Sequence, residues 1–152
     1  MPEYAPPVLY EDNHLLVVDK PAGMLTQSDI SGDDNLLDVC REYIRVKYQK
    51  KGNVFLGMVH RLDRPVTGVI VFARTSKAAS RLSEQFREGS VEKRYLAVVE
   101  GILSDSRTLV HHLVRTGSVT RASVEPMPGS QRAELSYSSL SSSGCASLVD
   151  IT

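Results

Sequence analysis

The stretch His60–Gly68, HRLDRPVTG, sets a histidine, two arginines and an aspartate between two apolar runs, NVFLGMV (53–59) and GVIVFA (68–73). Both runs are short, β-branched or aromatic, and bounded by glycine, which reads as strand on each side of a turn. The charged segment is therefore a strand-to-strand connection. Asp63 lies between Arg61 and Arg64, and two readings of that placement compete. A solubilising surface loop would carry such charges as a loop salt bridge. A site would use them to hold one carboxylate ionised, because arginines within a few ångström lower a carboxyl pKa, and an ionised carboxylate suits a nucleophile or base.

Upstream, VLYEDNHLLVVDKPAG predicts a hairpin of strands Val8–Tyr10 and Leu15–Val18, stopped by Pro21 and Gly23 and placed at a sheet edge. A Ser-, Asp- and Gly-rich loop follows. Leu36, Leu37, Cys40, Tyr43, Ile44 and Tyr48 then recur at helical spacing behind Asn35 as N-cap, predicting a helix to about Lys50. Downstream, Ala78, Ala79, Leu82 and Phe86 share one face of a second helix, capped by Thr75 or Ser76 and stopped by Gly89. EKRYLAVVEG, TLVHHLV, RAELSYSSL and CASLVDIT read as strands, with SSLSSSG as a hairpin turn. Few helices and late-clustered strands predict an α+β fold with a mixed, mostly antiparallel sheet.

At 152 residues the chain has the length of a single domain, expected to span 1–152. With 41% apolar and 24% charged residues and no low-complexity tract, it is not a disordered chain. Cys40 and Cys145 are too few for a disulfide framework, and no run approaches the roughly 20 apolar residues of a membrane span. No signal pattern opens the chain, so a soluble, cytoplasmic protein is expected, with no membrane partner. Formal charge is zero, yet Arg41–Arg94 carries thirteen Lys or Arg against five Asp or Glu, a local net charge of +8. That segment suits a phosphate-bearing partner, or equally a solvated mixed-charge surface.

His60 and Asp63 could be half of a metal site, but no third ligand stands at a suitable spacing, and no metal is expected. There is no Gly-x-Ser-x-Gly elbow for a serine hydrolase. A nucleoside or glycoside hydrolase built on Asp63 would need a second carboxylate, and no candidate stands out.

HRLDRPVTGVIVFARTSKAA resembles the signature of the RluA-like pseudouridine synthases, in which His-Arg-Leu-Asp-x-x-Thr-Ser-Gly precedes an apolar strand and a helix. VLYEDNHLLVVDKPAGML is similar to the family's opening hairpin, and LSEQFREGSVEKRYLAVVEG to its Lys-x-Tyr strand ending in glycine. The three matches fall in order across Val8–Gly101. The resemblance implies isomerisation of specific uridines in rRNA or tRNA to pseudouridine, without a cofactor. By position it makes Asp63 the catalytic aspartate, Arg61 the residue that fills the space of a flipped-out base, and Tyr95 the ring packed against the uracil. His60, Leu62, Arg64, Thr67 and Lys93 complete the implied substrate-facing set, with His60 and Leu62 expected to shape the loop. Lys77, Arg81 and Arg87 could touch phosphates. The alternative is a catalytically silent RNA-binding module of the same fold.

Val66 and Thr67 stand where the family has Thr and Ser, so one loop hydroxyl is missing. In the family, a strand like SLVDIT runs on into a Thr-Gly-Arg-x-His-Gln-Ile-Arg segment whose arginine pairs with the catalytic aspartate. The expectation is therefore an N-terminal portion of a longer protein, with no RNA-binding domain before the hairpin. Alone it is expected to be weakly active or inactive, with an exposed sheet edge that invites association.

Overall fold

A computed structural model describes residues 6–117 and 119–152. The chain divides into two compact units, Met1–Val91 and Glu92–Thr152. In the first, strands β1 (Val8–Glu11), β2 (Leu15–Lys20), β3 (Gly57–Met58) and β4 (Gly68–Ala73) form an antiparallel sheet in the order β1-β2-β4-β3. The β1–β2 turn is held by Asp12, whose Oδ1 accepts from the N–H groups of His14 and Leu15 at 2.7 and 2.6 Å. Helix α1 (Leu36–Lys47) starts where expected: the Asn35 side chain accepts from Asp38 N–H. It ends three residues short of Lys50, as the chain turns through Gln49 at φ 50°.

Leu36, Cys40 and Ile44 of α1 pack on Leu16, Val18, Ile70 and Phe72, which alternate along β2 and β4 on one sheet face. Burial pushes the Cys40 thiol up to about 12, so it behaves as a small apolar side chain. Helix α2 (Ser76–Glu88) runs from its Thr75 cap to Gly89 in the left-handed conformation (φ 70°). It lies over the opposite face, where a Cβ on Gly57 would come within 2.8 Å of Ala79. β3 is only two residues long, against the longer strand expected from NVFLGMV. Its flank Val54–Leu56 leaves the sheet, and Leu56 joins the core from outside the ladder.

The second unit is one antiparallel sheet in the order β5-β9-β8-β6-β7, from β5 (Tyr95–Glu100), β6 (Ser106–Thr116), β7 (Val119–Ser123), β8 (Gln131–Ser143) and β9 (Ala146–Ile151). β5 is an edge strand, with Leu96 68% and Val98 75% exposed. VTRAS carries little apolar pattern, and β7 was not expected from it. The serine-rich SSLSSSG is strand down to Ser143, and only Gly144 and Cys145 make the turn. The reason lies in hydroxyl partners: Ser139 and Ser142 donate to Leu103 O at 2.7 and 2.8 Å, and Ser147 to Gly101 O at 2.8 Å. The serines satisfy a passing loop instead of making one. Among the described residues all strand pairs are antiparallel, and the one parallel element is the isolated bridge Leu25–Asn35. The α+β class therefore stands, without the parallel pairing that a mixed sheet implies. Among the described residues, no helix is long and apolar enough to cross a membrane.

Glu11 ties the hairpin to α1 and β4. Its nearly buried carboxylate accepts from Tyr43 Oη (2.9 Å), Lys47 Nζ (2.7 Å), Tyr48 Oη (2.7 Å) and Arg74 Nη1 (3.0 Å). Burial pushes this carboxyl's pKa up, but the donors from Lys47, Tyr48 and Tyr43 outweigh it and hold the value below 4.5. A depressed carboxyl pKa contributes stability above the unfolded value, and that contribution is lost as pH falls through the folded one. Glu11→Gln is expected to cost about 2 kcal/mol at neutral pH, because it leaves the largely buried Arg74 without its carboxylate, while Lys47 is half exposed and is solvated by water. Urea unfolding followed over pH checks this: the variant's deficit should shrink as the wild type is acidified below pH 4.5.

Candidate active site

The loop between β3 and β4 is built from beneath by the segment that follows β2. Alternation along β2 puts Leu16, Val18 and Lys20 on the inward face, so the lysine is fully buried at the end of an apolar row. Its ammonium donates to three backbone carbonyls: Pro21 (3.1 Å), Met24 (2.7 Å) and Arg64 (3.1 Å). Burial lowers the Lys20 pKa, and the nearby charge of Asp63 offsets part of that shift. Gly23 N–H donates to the same Arg64 carbonyl at 2.8 Å. Thr26, also buried, donates its hydroxyl to Leu62 O at 2.7 Å and accepts from Leu62 N–H at 3.3 Å.

Within the loop, the His60 ring stacks on Phe86 of α2, with centroids 4.9 Å apart, and its Nε2 accepts from Val71 N–H at 3.0 Å. An accepting Nε2 carries no proton, and burial lowers the His60 pKa in the same direction. Leu62 turns inward against the core. Asp63 and Arg61 are exposed. Asp63 O accepts from Val66 N–H at 3.1 Å, closing a turn through Arg64 and Pro65. Thr67 is exposed, and Gly68 enters β4 at φ 132°, a conformation that favours glycine.

The two flanking arginines do not clamp Asp63 as their spacing suggested. Arg64 reaches away from it, donating from Nε to Gly23 O (2.9 Å) and from Nη1 to Asp33 (2.8 Å). Neither Arg61 nor any other residue forms a salt bridge with Asp63 among the described residues. Arg64 lies in the turn that Asp63 O closes with Val66 N–H, and the turn carries its guanidinium to Gly23 and Asp33. Lys20 lies close enough to Asp63 for the carboxylate's charge to offset part of the effect of burial on its pKa.

The structure thus gathers His60, Arg61, Leu62, Asp63, Arg64 and Thr67 on one loop of the first unit. Lys93 and Tyr95 belong to the second unit, where Lys93 is exposed and Tyr95 opens β5 with 41% of its surface exposed. Lys20, Thr26 and Asp33 were missed in the sequence. For Lys20 a signal existed, since the same alternation that buries Leu16 and Val18 also buries it. No group of His, Cys, Asp and Glu that could hold a metal ion occurs among the described residues.

Comparison with known proteins places the chain in a family. A sequence model described as RNA pseudouridylate synthase matches residues 14–152. Ribosomal large subunit pseudouridine synthase C of Buchnera aphidicola subsp. Baizongia pistaciae is 32% identical over 112 residues, 73% of this chain and 34% of the relative. tRNA pseudouridine synthase C of Haemophilus ducreyi is 39% identical over 98 residues, 64% of this chain and 38% of the relative. The chain thus spans somewhat over a third of the length of the curated relatives it matches. Among solved structures, Human RNA Pseudouridylate Synthase Domain Containing 4 superposes with a TM-score of 0.78 at 24% identity, covering 95% of this chain and 57% of that one, a likeness of fold.

Removing the buried ammonium should loosen this loop. Lys20→Met leaves carbonyls of Pro21, Met24 and Arg64 short of a donor and is expected to cost on the order of 3 kcal/mol. The urea midpoint of the chain measures it, and an unchanged midpoint would show that the three bonds contribute nothing net.

Proposed function

We propose, from the premise that this chain belongs to the RNA pseudouridylate synthase family, that it forms the Asp63-bearing part of an enzyme isomerising uridines in rRNA or tRNA to pseudouridine. One observation carries the reading. Asp63 presents an exposed carboxylate from a backbone whose neighbouring carbonyls, Leu62 O and Arg64 O, are bonded from beneath by Thr26, Gly23 and Lys20. A surface loop placed for solubility has no need of such anchoring, whereas a reacting group must be held to within a fraction of an ångström. Both units are assigned to one catalytic domain.

In the reaction the N1–C1′ bond of uridine breaks, the uracil turns, and a C5–C1′ bond forms, while the proton on C5 is lost and N1 gains one. Substrate and product are isomers, so the chemistry balances without a cofactor or co-reactant. Cleavage of the glycosidic bond leaves positive charge on the sugar, and a fixed anion at Asp63 stabilises it. The same carboxylate serves whether it attacks the sugar or the base, or removes a sugar proton. The uracil must leave its stack to reach Asp63, at a cost of a few kcal/mol. Arg61, exposed and without a salt bridge among the described residues, is assigned to the vacated space, and Tyr95 to the face of the uracil. Thr67 and Lys93 are assigned to RNA contacts, while His60, Leu62 and Arg64 shape the loop that carries Asp63. The protein is assigned to the cytoplasm, one of the places where such RNA is found.

Asp63→Asn in the complete gene product tests the assignment. Pseudouridine formation should fall on the order of a thousand-fold or more, with RNA affinity retained. Mapping pseudouridine in cellular rRNA and tRNA with and without the gene identifies the target. Loss of no site, or full activity of the Asn variant, sinks the reading.

A further inference from the structure

Peptide groups are rigid planes, so the direction of a side chain is set by the orientation of the planes on either side of its Cα. The plane after Asp63 is fixed within the loop, because Asp63 O accepts from Val66 N–H at 3.1 Å. The next plane, at Arg64 O, has two donors, Gly23 N–H and Lys20 Nζ. The plane before Asp63, at Leu62 O, has one hydrogen-bond donor among the described residues: the Thr26 hydroxyl at 2.7 Å. That oxygen also accepts from Leu62 N–H at 3.3 Å, so a single atom holds both backbone groups of Leu62. Only a hydroxyl can do this, giving its one proton to the carbonyl and a lone pair to the N–H.

Thr26 is itself anchored on the rigid side of the unit. It is 4% exposed, and its carbonyl accepts from Leu37 N–H at 3.1 Å in the first turn of α1. Next to it, Leu25 O accepts from Leu36 N–H at 2.8 Å. A continuous set of bonds therefore runs from the start of α1 through Thr26 and Leu62 to the Cα of Asp63. We infer that Thr26 is a positioning residue for Asp63, setting the carboxylate's direction through its two hydrogen bonds to Leu62. This rests on the assignment of Asp63 as the reacting group. It goes further in placing a determinant of turnover on the segment after β2, outside the HRLD loop.

The test compares Thr26→Val, which keeps the shape and removes both bonds, with Thr26→Ser, which keeps the hydroxyl. In the 152-residue chain, amide hydrogen exchange should show loss of protection at Leu62 in the Val variant alone, with Val18 and Ile70 in the core unchanged. In the complete gene product, kcat should fall about tenfold with KM within about twofold in the Val variant, and Ser should restore it. Retained kcat in Thr26→Val, or loss of protection throughout the core, overturns the inference, the latter by assigning Thr26 to stability alone. Asp63→Asn run in parallel separates the two levels. Activity surviving in it defeats the assignment of Asp63, whereas activity lost there but kept in Thr26→Val defeats only the role of Thr26.

Discussion

A buried lysine ammonium under the HRLD loop is the interaction on which the first unit's candidate site depends. Isolated in an apolar interior, such a cation would be destabilising by several kcal/mol. Here three carbonyl dipoles converge on it, and the carboxylate of Asp63 is near enough to offset part of the burial. Two of those carbonyls, Pro21 and Met24, belong to the turn after β2, and the third, Arg64, to the loop before β4. The register of β2 on β4, which pairs Lys20 with Gly68, brings the two connections together, and the ammonium joins them. Among the described residues no buried side-chain nitrogen or oxygen is left without a partner.

This arrangement lets an exposed loop act as a rigid element. Asp63 itself is in solvent, yet the peptide groups around it are bonded to Thr26, Gly23, Lys20 and Val66. His60 fixes the loop's near end by accepting from β4 and stacking on α2. Arg64 latches the loop to the acidic segment at Asp33, using a charge that sequence proximity would have assigned to Asp63. Rigidity at this loop thus comes from polar contacts, while the apolar core formed by α1, β2 and β4 supplies the platform beneath them.

Much of the fold was legible because it is written in local patterns. Asn35, Thr75 and Gly89 mark helix ends by satisfying or relieving backbone groups, and they do so in the structure. The hairpin at Asp12 and the strands with clear alternation followed equally. β7 and the serine stretch of β8 did not follow, because their partners lie in other segments: β7 is paired along β6, and the serines answer carbonyls of Gly101 and Leu103. Within the site, the motif singled out Asp63 and its loop. It could not identify Thr26, since a threonine in a polar loop carries no local sign of the carbonyl it will meet.

The α+β class, both helices with their caps, and the family through the HRLD loop and its neighbours can be read along the chain, because periodicity, capping and motif order are local properties. Tertiary structure decided which groups surround Asp63. Strand pairing brings residues 36 to 44 positions apart into hydrogen-bond range, so that Lys20 and Thr26 hold the loop while the adjacent Arg64 turns to Asp33. Charge placement along the chain states what is present, and the register of β2 against β4 determines what it touches.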